Sequence, residues 1–147
     1  MKRLRIGLAV LILALLLSAC AAEGDDDVVE ISERFFITTF QEIHLNSELY
    51  IGRTVRYEGM FRTFQWPDTD EDFYMVYRYV PGCCSPDDGM SIGFIVDLNN
   101  IAPLEDNAWA EVTGVLEVYE RADAARFRVN VTSLTQPAER GAEFVTE

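Results

Sequence analysis

A chain of 147 residues with 25 acidic and 12 basic side chains, and a formal net charge of −13, has room for one domain around one core. Its single lysine is Lys2, at the extreme start, which excludes a lysine nucleophile or Schiff base from the body of the chain. The surface lacks clustered positive charge and would repel phosphates, so nucleic acid is excluded as a partner.

Lys2, Arg3 and Arg5 form a basic start, and Ile6 to Leu17 that follow are apolar apart from Gly7. As a helix this stretch reaches about 18 Å, short of a bilayer core of about 30 Å, so it reads as an export signal rather than a membrane span. It ends in Leu17-Ser18-Ala19-Cys20. Small residues followed directly by a cysteine resemble the lipobox of bacterial lipoproteins. That resemblance implies removal of residues 1–19, a diacylglycerol on the Cys20 thiol, and attachment to a membrane outside the cytoplasm. Two or three acyl chains, at about 0.8 kcal/mol per buried CH₂, would hold the protein there. Loss of the basic leader leaves the remaining chain still more acidic. Residues 20–27 (CAAEGDDD) read as a solvated tether, residues 28–135 as the folded domain and residues 136–147 as a tail in which Phe144 and Val145 could dock.

Within the domain, Val28 to Phe36 opens as an extended segment. Thr39-Phe40-Gln41-Glu42 fits a capping box, and Phe36, Phe40 and Ile43 fall at helical spacing, which predicts one short helix near residues 38–46. Strands are expected at Arg53 to Phe64, Phe73 to Val80, Ile92 to Asp97, Trp109 to Tyr119 and around Phe127 to Val131, where apolar and polar residues alternate. Gly59 and Gly114 sit inside the two long strands, where a bulge would bend them. Five strands, one helix and two internal glycines predict a mainly β fold, a small antiparallel barrel of the oligonucleotide/oligosaccharide-binding (OB) type, with an open β-sandwich as the alternative.

A stretch from Phe40 through Ile43, Asn46 and Tyr50-Ile51-Gly52-Arg53-Thr54-Val55 to Tyr57-Glu58-Gly59-Met60-Phe61 resembles the pattern "F…I…N…YxGKxVxxxGFV" of bacterial DUF1980 proteins, a family with no assigned activity. Arg78-Tyr79-Val80-Pro81-Gly82-Cys83-Cys84-Ser85-Pro86-Asp87 is similar to that family's "R-F-x-x-x-C-C-x-x-D", departing from it at Pro81-Gly82 and Pro86. The resemblance covers roughly residues 30 to 118. It implies an OB-like fold and a place at the membrane surface, where members are typically paired with a permease.

Cys83 and Cys84 carry the distinctive chemistry. The turn-forming residues on both sides would let both sulfurs face one way. A vicinal disulfide suits an oxidising compartment, yet adjacent Cα atoms about 3.8 Å apart fall below the usual disulfide range of about 4.4–6.8 Å, so it would be strained and easily reduced. Two thiolates with Asp87 or Asp88, and His44, would form a tetrahedral Zn²⁺ set, although the spacing matches no closed zinc motif. Packing as small hydrophobes is the third state. Asp87 and Asp88 would raise the thiol pKa values and Arg78 would oppose them. The candidate ligand, metal or redox residues are thus Cys83, Cys84, Asp87 and Arg78.

Elsewhere, Asp68-Thr69-Asp70-Glu71-Asp72 has the charge of a calcium loop without its glycine and terminal glutamate, and reads as a solvated hairpin. Trp66, Tyr77, Tyr79 and Trp109 read as core aromatics before a binding face. One histidine and no GxSxG serine leave no nucleophile–base–orienter set, so the expected function is a non-enzymatic binding or partner module at the membrane, assisting a permease. The alternative is a thiol-dependent redox or metal-handling protein.

Overall fold

The computed structural model describes residues 28–82 and 89–146. In chain order these form β1 (Val28–Ile31), a 3₁₀ turn at Glu33–Phe35, helix α1 (Phe36–Leu45), a second 3₁₀ turn at Ser47–Leu49, β2 (Thr54–Gln65), β3 (Asp72–Val80), β4 (Met90–Asp97), β5 (Trp109–Arg121) and β6 (Ala124–Thr135). The leader, Cys20 and the tether lie outside the described residues. Among the described residues no helix is long and apolar enough to cross a membrane.

The sheet closes on itself. Its order is β1-β2-β3-β4-β6-β5, and β5 pairs back onto β2. Closure excludes the open sandwich and removes the unpaired edges that a flat sheet would expose. The β3–β4, β2–β3 and β5–β6 neighbours are antiparallel, whereas β4 and β6 run parallel across Ile95↔Arg128 to Asp97↔Asn130. This parallel pair arises because the chain crosses one barrel end after β4 and enters β5 before returning as β6, the Greek-key path of an OB-type barrel. β1 lies outside the barrel, parallel to the start of β2.

Alternation on the strands dictates the core. Val55, Tyr57 and Phe61 of β2, Val76 of β3, Phe94 and Val96 of β4, Val112 and Leu116 of β5, and Val129 of β6 point inward and are buried. α1 plugs one end with Phe36 and Ile43, both fully buried, and Ile101 and Leu104 pack against the core from the β4–β5 connection.

Helix α1 starts a turn earlier than the capping box predicts. Phe35 is its N-cap, with no side-chain cap hydrogen bond, and Thr39 lies inside the helix. Burial of Phe36 against Tyr57, with ring centroids 6.2 Å apart, outweighs the cap that Thr39 would offer.

The two glycines differ. Gly114 sits where the β5–β6 register slips, between Thr113 and Gly114, as a bulge requires. Gly59 keeps unbroken register with Ala110, and its requirement is close approach: a Cβ there would lie 2.6 Å from the Tyr77 carbonyl oxygen.

A second apolar cluster lies on the outside of the barrel, where Met60, Tyr77 and Trp109 are buried beneath Phe64, Met75 and Tyr79. The tail contributes to its cover. The Tyr79 amide donates to the Glu143 carbonyl, the Val145 amide donates to the Tyr79 carbonyl, and the Phe144 ring stacks on Tyr79. Val145 is buried, so the docking open to Phe144 and Val145 is made.

Candidate binding surfaces

Of the sequence-derived candidates, Cys83, Cys84 and Asp87 lie outside the described residues, as does Cys20. Arg78 is described, and its surroundings are specific. β3 pairs with β2 only at Met60↔Tyr77 and beyond; the earlier part of β2 pairs with β5 and, at Thr54–Tyr57, with β1 instead. The Arg78 side chain fills the resulting gap and is 2% exposed. Its Nε donates to the Glu58 carbonyl at 2.7 Å, and its NH1 donates to the Glu33 carboxylate at 2.8 Å and the Ala142 carbonyl at 3.0 Å. The guanidinium lies 5.3 Å from the Phe36 ring centroid and 4.8 Å from that of Trp109. Such a fork between two rings is a task for arginine rather than lysine. Arg78 and the amide of Ala142 hold the Glu33 carboxyl below the usual carboxylate range. The residue therefore ties the first 3₁₀ turn, β2 and the tail together.

The nine-residue connection 81–89 leaves the barrel from the last β3–β4 pair, Val80↔Met90. Met90 also lines an apolar groove of about 440 Å³ between α1 and β4, with Phe40, His44 and Leu45 on one wall and Ile92 beside Met90 on the other. His44 Nδ1 lies 2.9 Å from the Phe40 carbonyl, which can only accept, so Nδ1 is the donor of this bond. Phe40, Phe94 and Phe127 surround the imidazole at 4.4, 5.9 and 4.9 Å. Among the described residues no three His, Cys, Asp or Glu side chains gather as a metal site.

The more developed surface lies across the outer faces of β3 and β4. The β2–β3 hairpin and the β5–β6 hairpin approach each other over this face, the position where OB-type barrels take ligands. Arg121 joins them. Its NH2 donates to Asp68 and to the Thr69 hydroxyl, each at 2.9 Å, and NH1 lies 3.5 Å from Glu71. Its Cζ sits 4.1 Å from the Trp66 ring centroid. On its other face Trp66 stacks on Phe73 at 4.1 Å, and Phe73 stacks on Phe64 at 5.4 Å. Arg62 closes this column 5.4 Å from the Phe64 centroid. Trp66 is thus neither barrel core nor an open stacking platform. It is the contact that joins two hairpins.

Clefts open on both sides of this bridge. One, of about 290 Å³, includes Tyr74, Asp97, Asn99, Tyr119 and Arg128. Arg128 is paired with Asp97 at 2.9 Å and Glu117 at 3.3 Å, and Asn99 donates to Asn130 at 2.6 Å. The Tyr119 hydroxyl is buried without a hydrogen-bond partner among the described residues, and burial raises its pKa despite the nearby Arg126 and Arg121. The other cleft, of about 430 Å³, has Met75, Ile95 and Phe127 in its lining, with His44 at one end and Arg126 at the other. The Asp97 carboxylate is committed to Arg128, and the Tyr119 phenol is unpaired among the described residues. That chemistry suits recognition of a polar ligand better than proton transfer.

Over residues 18–145 the chain matches the family model of the DUF1980 C-terminal domain. It belongs to that family. No curated protein matches it closely enough to show a relationship. This DUF1980 domain is accordingly a closed barrel whose β3–β4 connection carries the family-like Cys-Cys pair and whose outer β3–β4 face is bridged by Arg121. The hairpin bridge was not readable from sequence. The arginines at 126 and 128 alternate with Phe127 and Val129, which signals an outer face but not which hairpin it meets.

Proposed function

We propose that this DUF1980 protein is a lipid-anchored, extracytoplasmic binding module that presents its bridged barrel face to a ligand or to a membrane permease. The observation that carries the reading is the pair of clefts flanking the Arg121–Trp66 bridge. One presents the Tyr119 phenol, the Asn99 amide and the Arg128–Asp97 pair, and the other is mainly apolar with Arg126 at its edge. Support for the anchor is the Leu17-Ser18-Ala19-Cys20 run at the end of an apolar leader. In cells, a photo-crosslinking side chain at Ile95, on the bridged face, is expected to capture a partner that the same group at Ala102, on the β4–β5 connection, does not. Equal capture at both positions, or at neither, removes the binding-module reading. Cells fed labelled palmitate should label the wild-type chain and not Cys20→Ser; absence of label from the wild type removes the anchor.

A second reading, thiol-dependent metal handling or redox chemistry, is favoured by one observation. The connection bearing Cys83, Cys84 and Asp87 ends at Met90, which lines the same groove as His44. Reduced protein should take up about one equivalent of Zn²⁺ and release protons as thiols become thiolates. Cys83→Ser and Cys84→Ser should each abolish uptake, and Asp87→Ala should weaken it. An intact mass 2 Da below the dithiol, the two hydrogens lost on forming the S–S bond, would mark a vicinal disulfide. Free thiols with no metal uptake remove both active roles.

A further inference from the structure

Exposed large apolar side chains gather at one end of the barrel, the end plugged by α1. Phe35 precedes the helix and Leu45 closes it, with Leu45 83% exposed. Leu49, 64% exposed, and Ile51 stand in the turns that lead on to β2, and Met90, 65% exposed, begins β4. Val118 pairs with Phe127, whose ring lies 4.9 Å from His44 of the same helix. Two arginines accompany them: Arg34 lies over Phe35 at 5.2 Å and Arg53 over Tyr50 at 5.8 Å. The opposite end carries Glu105 and Asp106 on the β4–β5 connection, where the Asp106 carboxylate accepts from the Thr63 amide near the end of β2.

The chain enters the domain at the apolar end. Val28 pairs with Thr54, shortly after Ile51, and the Gly52 amide donates to the Leu116 carbonyl near Val118. From Cys20 to Val28 even a fully extended chain spans only about 27 Å, at about 3.3–3.6 Å per residue. A lipid on Cys20 therefore holds the apolar end near the membrane.

The geometry points to a lipid bilayer surface as the occupant of this apolar end, with Leu45, Leu49, Ile51 and Val118 entering the interfacial layer and Arg34 and Arg53 meeting lipid phosphates. This inference rests on the lipid-anchor reading above. Its physical basis is the exposed apolar area at the point where the short tether enters. Apolar side chains favour the interface, and Arg34 and Arg53 among them are long enough to reach the headgroups past the neighbouring Glu42 and Glu48. The domain thereby takes one orientation, with the groove between α1 and β4 close to the headgroups.

The test uses the mature lipidated protein in vesicles of phosphatidylcholine and phosphatidylglycerol with brominated acyl chains, which quench tryptophan on contact. Reporters are Leu49→Trp at the apolar end and Ala102→Trp at the opposite end, each read against the wild-type emission of Trp66 and Trp109. The expected result is loss of most of the added emission at position 49 and retention at position 102. Leu45→Glu/Ile51→Glu, on exposed positions that leave the core intact, should restore the position 49 emission without changing the thermal midpoint. Equal quenching at both positions overturns the orientation. Quenching at neither, in protein that carries the diacylglycerol mass and floats with the vesicles, assigns this end to a protein partner instead and leaves the anchor standing. Protein that lacks the lipid mass and does not float overturns both the anchor and the inference built on it.

Discussion

At the scale of single residues, Arg78 shows how a side chain can be marked by sequence and still be misread in its surroundings. Its place ahead of Cys83 and Cys84 was legible and suggested an influence on thiol acidity. That its donors go to Glu33, Glu58 and Ala142 was not, because those partners lie far away in sequence and meet only through barrel closure. Arg78→Met should cost about 2–3 kcal/mol, since the Ala142 and Glu58 carbonyls lose a charged donor while the half-exposed Glu33 regains water. Urea unfolding read against the wild type measures it. Arg78→Lys should recover only part of the loss, because an ammonium cannot span three acceptors between two rings. The Glu33 carboxyl has a lowered folded pKa. Its contribution is therefore present above the ordinary carboxylate pKa and is lost as pH falls through the lowered one. The wild-type thermal midpoint should drop over that acid window more steeply than the midpoint of Glu33→Gln, and parallel curves would show that the ion pair does not act on stability.

For the elements, strand positions were legible because alternation is local, whereas the helix start was set by tertiary burial. Phe36 drew the helix back past its own capping signal, and Gly59 was needed by a neighbouring strand's carbonyl rather than by a bulge. Ile43 is the fully buried centre of the plug, so Ile43→Ala should cost about 2–5 kcal/mol, as truncations in closed cores do. A smaller loss would mean that α1 settles inward to fill the space. The β2–β3 hairpin was correctly legible as a solvated acidic turn, but its engagement by Arg121 was not. Arg121→Ala should free the hairpins from each other while the barrel persists. Trp66 emission should shift to the red and become more accessible to iodide, and amide exchange should quicken at residues 66–71 and 121–125. The unfolding midpoint should move little, since the carboxylates that Arg121 pairs with are largely solvated. Unchanged Trp66 accessibility would mean that Phe73 stacking alone holds the bridge.

Across the whole molecule, closure of the barrel was legible from strand number and the long β2 and β5, each able to serve two partners around a bend. The tail was harder to read because residues 136–147 show no period, and their pairing depends on where β2 leaves β3. That departure exposes the Tyr79 backbone, and the tail satisfies it with two hydrogen bonds while burying Val145. It also brings Gly141 so close that a Cβ there would lie 2.6 Å from the Glu33 carboxylate and 3.0 Å from the Trp109 ring. Burial of one valine contributes about 1.5–2 kcal/mol and two backbone hydrogen bonds about 1 kcal/mol each. Ending the chain after Gln136 should thus lower stability by about 3–4 kcal/mol, with the Ala142 acceptor of Arg78 lost as well. Because the truncation takes only Val145 from the main core and leaves the inward-facing strand residues in place, the truncated protein should still unfold in one transition with nearly the same denaturant dependence. Trp109 emission should shift to the red as its cover is removed. A truncated protein as stable as the full chain would mean that the tail only rests on the barrel, and an unfolded one that it is needed to close the gap between β2 and β3.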